Sequence, residues 1–153
     1  MRVLDRRGGP KPPRLIVIDP RRTETAREAD IHLSPRVGTN VALLNAILHV
    51  LVRDDRIDKG FIEAHMVGFD GLRGTVAEYP PERAAGICGV AAGQIEAAAR
   101  MIGEAGSLVS TCLQRVYQSN QATAAAGQVS NINLIRGMVG RPGCGILQMN
   151  GQP

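Results

Sequence analysis

Tryptophan is absent, and aromatic residues make up only 3% of the chain. The stacking platforms that hold single-stranded nucleic acid are therefore missing, and the interior must be filled by Ala, Leu, Ile and Val. The three cysteines, Cys88, Cys112 and Cys144, lie far apart with no C-x-x-C spacing. Neither a zinc site nor an iron–sulfur cluster can be built from that set. An odd, scattered count suits a reducing, cytoplasmic setting rather than a disulfide framework. No apolar run reaches the ~20 residues of a membrane span, and no export signal precedes the first apolar segment. No G-x-G-x-x-G loop follows a strand, which argues against a free-standing Rossmann dehydrogenase. His32 and His65 have no metal-ligand partners at useful spacing.

What is present is enough for one folded domain. With 153 residues and 44% apolar content, the chain can bury a sizeable core. The net charge of +4 is concentrated early, in Arg2, Arg6, Arg7, Lys11, Arg14, Arg21, Arg22 and Arg27. Cations around one strand end fit a phosphorylated small ligand. They also fit a solvated basic surface or, in an alternative reading without redox chemistry, a basic nucleotide- or RNA-binding α/β module.

The segment LIVIDPRRTETAREAD, Leu15 to Asp30, is the most informative. The β-branched run Leu15–Ile18 predicts a buried strand, Pro20 stops it, and the strand end delivers Asp19, Arg21 and Arg22. Open α/β folds bind ligands at that edge, and an acid there commonly holds ribose hydroxyls. A short helix over Thr23–Asp30, capped by Thr23, and a short strand over Ile31–Leu33 follow. Gly38-Thr39-Asn40 opens the strongest helix, Val41–Val52. Its polar residues Asn45, His49 and Arg53 fall four apart as one stripe, which makes His49 a surface histidine. Further helices are expected at Asp58–Met66 (capped by Asp58), about Gly71–Ala77, from Pro80-Pro81-Glu82 to about Ile87, and at Ala91–Ile102, the last ended by Gly103 and Gly106. A second buried strand is expected at Leu108–Leu113, then a polar loop over Gln114–Gln121 and a long helix over Gln121–Val139. The tail from Gly140 shows no helical period. This order predicts an α/β fold: a Rossmann-like parallel sheet flanked by helices, with a helical insertion at about 55–89.

Chemistry is expected where strands end, and four segments are candidates. Asp19, Arg21 and Arg22 follow the first strand. Gly38, Thr39 and Asn40 start a helix, where free backbone N–H groups favour an anion or a polar ring edge. The amide of Asn40 donates and accepts, so it can read a base; capping alone would explain it equally well. The polar run around Gln118 to Gln121 follows the second strand, and the glycine loop Gly140–Gly145 leads to Asn150-Gly151-Gln152. Surface solvation is the simpler reading of Arg27.

In this order, IDPRRTETAREAD, VGTNVALLNAILHVL, FIEAH with GF after it, SNQATAAAGQVSNINLIRGMVGRPGCG and NGQ resemble the molybdopterin oxidoreductase family. The resemblance runs from about Arg14 to Gln152. It includes bis-molybdopterin-guanine-dinucleotide enzymes such as formate dehydrogenases and assimilatory nitrate reductases. It implies a cofactor, Mo-bis-MGD, whose guanosine end is held by this region. Asp19 and Arg21 match the family's Asp-Pro-Arg at the ribose and phosphate. Gly38, Thr39 and Asn40 match its Gly-Thr-Asp segment near the guanine, with Asn where Asp is common. Gln118, Asn120, Gln121, Gly151 and Gln152 match segments that approach the pterin.

The family's cysteine motif for a 4Fe-4S cluster and its molybdenum ligand are not in this sequence, and they belong to the full-length enzyme. The expectation is therefore an incomplete domain, residues 1–153, of the dinucleotide-binding α/β unit. Its partners would be the molybdopterin cofactor and the remaining domains of a parent enzyme, with nucleic acid disfavoured. Alone it should not turn over substrate.

Overall fold

The computed structural model describes residues 7–149. The first element, β1 (Ile16–Ile18), is three β-branched residues, which favour extended backbone. Pro20 follows two residues later, and α1 (Glu24–Arg27) starts on the Thr23 hydroxyl, which accepts from the Ala26 N–H at 3.2 Å. Glu24 in the first turn and Arg27 in the last both complement the helix dipole. The chain returns as β2 (Ile31–Leu33), parallel to β1, with Ile16 opposite Ile31 and Ile18 opposite Leu33.

The central helix is α2 (Asn40–Arg53). Leu43, Ile47, Leu48 and Leu51 on it are fully enclosed, and burial of each side chain contributes about 2 kcal/mol. Three short helices follow: α3 (Lys59–His65), α4 (Phe69–Ala77) and α5 (Pro81–Cys88). Asp58 caps α3 by accepting from the Phe61 N–H at 2.9 Å. Pro81 sits in the first turn of α5, where a missing N–H costs nothing. Next, α6 (Ala92–Glu104) lays Ile95, Ala98 and Ala99 against α2. Then come β3 (Val109–Cys112), the single turn α7 (Gln114–Tyr117), α8 (Ala122–Ile135) and β4 (Gly145–Gln148). Strands β3 and β4 are parallel, with Val109 opposite Gly145 and Cys112 opposite Gln148. The helices α4, α5, α6 and α8 all pack on α2, so the core is a sleeve around that helix.

The fold is thus α/β with parallel pairing, as expected, but the sheet is divided into two pairs, β1–β2 and β3–β4. Each pair is a strand–helix–strand crossover. Several local expectations need correction. The tail contains a strand, β4, and the loop after β3 contains a helical turn. The last long helix ends at Ile135 rather than Val139, because Gly137 turns left-handed at φ +60°. Gly103 lies inside α6, where it lets the Arg56 side chain come close. The strand β3 is not enclosed: Val109 is 52% exposed.

The polar stripe of α2 also differs from the expectation. Asn45 is buried, and its amide oxygen accepts from Gln128 of α8 at 2.7 Å. His49 is half-buried, with Nδ1 donating to the Val76 carbonyl at 2.9 Å. A second buried amide, Asn133 on α8, lies where the β3–β4 pair begins. Its nitrogen lies within 3.4 Å of the carbonyl oxygens of Leu108, Met138 and Gly145, and its oxygen accepts from the Ser110 hydroxyl at 2.6 Å. Among the described residues, no helix is long and apolar enough to cross a membrane.

Candidate functional site

The carboxyl ends of β1 and β2 are fastened side by side. The Asp19 N–H donates to the Leu33 carbonyl at 3.1 Å, and Nε2 of His32 donates to the Asp19 carbonyl at 2.8 Å. The Ser34 hydroxyl donates to the Pro20 carbonyl at 2.9 Å. These bonds bring the loop after β1 and the loop after β2 to one sheet edge. His32 and Ser34 carry this fastening and have no sequence signal of their own; their role follows only from the parallel register.

Within the first loop, Oδ1 of Asp19 accepts from the Arg21 N–H at 2.7 Å and lies 3.5 Å from Arg21 Nε. This side-chain turn leaves Oδ2 without a partner among the described residues. The Arg21 side chain is 68% exposed. Arg22 and Arg27 are exposed as well, and neither meets a carboxylate among the described residues. Of the other early cations, Arg7 pairs with Asp30 at 2.8 Å and Arg14 lies 3.7 Å from Glu104. The Arg7 hydrogen bond, with a second bond from the Leu15 N–H, holds the Asp30 carboxyl below its ordinary value. The cluster read from sequence therefore divides into structural pairs and unpaired cations, of which Arg22 lies in the loop after β1.

In the second loop, Gly38 has φ +86° with open space above its Cα. Bare backbone is presented there, just before α2. The Thr39 hydroxyl turns back and donates to the Arg36 carbonyl at 2.6 Å, so it does not cap α2 by side chain. Asn40 is half-buried in the first turn of α2. Its amide makes no hydrogen bond among the described residues, which leaves both donor and acceptor available.

The remaining predicted residues stand elsewhere. Gln118, Asn120 and Gln121 are exposed in the turn between α7 and α8. Their hydrogen bonds stay local: the Gln118 N–H donates to the Gln114 carbonyl, and the Gln121 N–H to the Ser119 hydroxyl. No hydrogen bond among the described residues joins this turn to the β1–β2 edge. Gly151 and Gln152 lie outside the described residues. No His, Cys, Asp or Glu cluster suited to a metal occurs among the described residues. Cys88 and Cys112 are buried, Cys144 is half-buried, and all three are free thiols. Burial pushes the Cys112 thiol up.

A recess of about 510 Å³ lies away from this edge. It is lined by Asp55, Asp58, Lys59, Ala105, Arg136 and Arg141, among others, beyond the carboxyl end of α2. A helix of 14 residues is about 20 Å long, so the recess and Asn40 mark opposite ends of the molecule. Lys59 there is paired with Asp55 at 2.7 Å, and Arg136 is bound to two carbonyls. Two of the cations that line the recess are thus engaged by internal bonds, and the β1–β2 edge is the better candidate.

A family profile for molybdopterin oxidoreductases matches residues 4–151. The chain belongs to the molybdopterin oxidoreductase family. Among its molybdopterin oxidoreductase relatives, a nitrate reductase of Synechocystis sp. is 38% identical over 140 residues, covering 92% of this chain and 20% of the relative. Formate dehydrogenase H of Escherichia coli is 37% identical over 139 residues, covering 91% of this chain and 19% of the relative. In three dimensions, acetylene hydratase from Pelobacter acetylenicus superposes with a TM-score of 0.80 and 34% identity. That match covers 85% of this chain and 18% of that one. The chain therefore spans about a fifth of the length of the relatives it matches.

Proposed function

We propose that the β1–β2 edge holds the guanosine end of a molybdopterin guanine dinucleotide. The chain would then be part of the dinucleotide-binding unit of a molybdenum oxidoreductase of formate dehydrogenase or nitrate reductase type, with α3 to α5 as a side insertion. The observation that carries this reading is the fastening of two loops at one parallel edge. One offers a carboxylate with a free oxygen, the other bare backbone and an unengaged amide.

The groups fit such a ligand. Asp19 has one oxygen held by the Arg21 N–H and one left to accept from ribose hydroxyls. Arg21 is exposed, with its Nε 3.5 Å from Asp19 Oδ1, and the outer nitrogens of its guanidinium can reach a phosphate. The Asn40 oxygen can accept from guanine N1–H or its amino group. A bound cofactor of this class supplies two-electron redox chemistry at its metal. The residues of this chain orient its nucleotide end and exclude water from one side of it. Gln118, Asn120, Gln121, Gly151 and Gln152 are proposed for the pterin side. A 4Fe-4S cluster and the residues that carry catalysis would lie in other parts of a protein of the relatives' length. The three free thiols support a reducing, cytoplasmic location.

Calorimetric titration of the chain with GDP tests the reading. Binding that weakens about tenfold in Asp19→Ala, the loss expected for one charge-assisted hydrogen bond, with an unchanged melting curve, supports it. Equal binding by the variant removes Asp19 from the site.

A further inference from the structure

The loop that carries Gly38 and Asn40 is fastened to the carboxyl end of α5 through one residue. The Arg36 N–H donates to the Cys88 carbonyl at 2.8 Å, and Nη1 of Arg36 donates to the carbonyls of Gly86 and Ile87 at 2.9 and 3.3 Å. The last carbonyls of a helix have no partner within it, so a single arginine engages three of the acceptors that α5 leaves open. Its charge also lies at the negative end of that helix.

On its other side the same residue shapes the turn into α2. The Arg36 carbonyl accepts from the Thr39 N–H at 3.2 Å and from the Thr39 hydroxyl at 2.6 Å. Gly89, which caps α5 at φ +76°, completes the contact. A Cβ there would lie 3.3 Å from Arg36 Nε, so a side chain is opposed by conformation and by contact alike.

We propose that Arg36 is a positioning residue for base recognition. It anchors the Gly38–Asn40 turn on the end of α5, and nucleotide selectivity therefore depends on a helix that offers the ligand no group of its own. The inference rests on the nucleotide reading above for its selectivity clause; the anchoring clause stands on the hydrogen bonds alone. The plainer account is that Arg36 only caps α5. Capping alone would lower stability and leave the order of the turn and its selectivity unchanged.

Amide hydrogen exchange at Thr39 and paired GDP and ADP titrations separate the two accounts. They are made on the whole chain and on Arg36→Ala, Arg36→Lys, Gly89→Ala and Arg83→Ala. Arg36→Ala and Gly89→Ala should each speed Thr39 exchange and reduce the preference for GDP over ADP, both by roughly tenfold, the equivalent of one net hydrogen bond. Arg36→Lys should restore part of both, because an ammonium keeps the charge but lacks the planar fork. Arg83→Ala loosens the opposite end of α5 by removing a bond to the Glu78 carbonyl, and it should lower the melting temperature without moving either readout. Unchanged Thr39 exchange in Arg36→Ala overturns the anchoring. A loss of preference in Arg83→Ala equal to that in Arg36→Ala overturns the positioning role in favour of capping. If the wild-type chain binds no GDP, the nucleotide reading and the selectivity clause fall together, and the exchange data still decide the anchoring.

Discussion

At the amino end of α2, Asn40 holds an amide with no hydrogen-bond partner among the described residues, and Arg22 in the loop after β1 meets no carboxylate among them. At the carboxyl end, several cations are engaged. Arg136 donates Nη1 to the Arg56 carbonyl and Nη2 to the Ala105 carbonyl, both at 3.0 Å, tying the segments that follow α2 and α6 to the end of α8. Nearby, Arg53 bridges Asp54 at 2.7 Å and Glu96 of α6 at 3.0 Å. The two ends have similar residue types and differ in whether those residues already have partners. Arginines engaged by carbonyls hold the fold together, and polar groups left over at a strand edge are available to something else. A recess alone does not report that difference, and the one beyond the carboxyl end of α2 is lined by residues that already have partners, such as Lys59 and Arg136.

Removing Arg136 should break the comparison most severely. Arg136→Ala leaves two carbonyls at the junction of three helix ends without their donor, a loss of about 2–3 kcal/mol by urea denaturation. Burial holds the Arg136 guanidinium below its ordinary value, with the Arg56 charge adding to that effect. Nucleotide affinity of the folded fraction should not change; a parallel loss of affinity would show that the two ends are not independent.

Asn40→Asp sharpens the contrast from the other side. A carboxylate accepts from both guanine N1–H and the amino group, so GDP binding should tighten about tenfold, or roughly 1.4 kcal/mol. Stability should stay within about 0.5 kcal/mol, as is usual away from buried features. Weaker GDP binding in this variant would mean that Asn40 faces the base through its NH₂ group.

The smallest effect is expected on acidification. Hydrogen bonds from Arg53 hold both Asp54 and Glu96 below the usual carboxylate range, as Arg7 does for Asp30. A carboxyl whose folded value is depressed contributes its full stabilisation above the unfolded value of about 4. It loses that contribution as pH falls through the lower folded value. The urea midpoint should therefore be flat from pH 5 to 8 and decline below about pH 4, less steeply in high salt because these pairs are exposed. A decline beginning near pH 6 would show that these pairs do not set the acid limit.

Much of this was legible in the sequence wherever a local rule decides the structure. Pro20 after a β-branched run, Thr23 and Asp58 as caps, and Pro81 in a first turn each specify an element boundary without help from distant residues. The candidate edge was legible for the same reason, because Asp19 and Gly38 follow directly from strands and a helix start. The parts that could not be read depend on tertiary partners. Nothing around Ile146 alternates, and β4 exists because Gly145 to Gln148 finds β3. Asn45 looked like a surface residue because Gln128, which satisfies it, is remote in sequence. The split of the sheet into two pairs likewise follows from packing around α2, which no strand-by-strand reading contains.

The buried amide of Asn133 has a consequence for which alternatives the chain avoids. A pair of four-residue strands beginning at a glycine is poorly specified by its own side chains, and a slip by one residue would exchange its faces. Asn133 makes that slip costly. Only in the observed alignment do the Leu108 and Gly145 carbonyls come together at one nitrogen while Ser110 meets its oxygen. One side chain on a helix thus serves as the index mark by which two strands, separated in the chain by that whole helix, recognise their correct alignment.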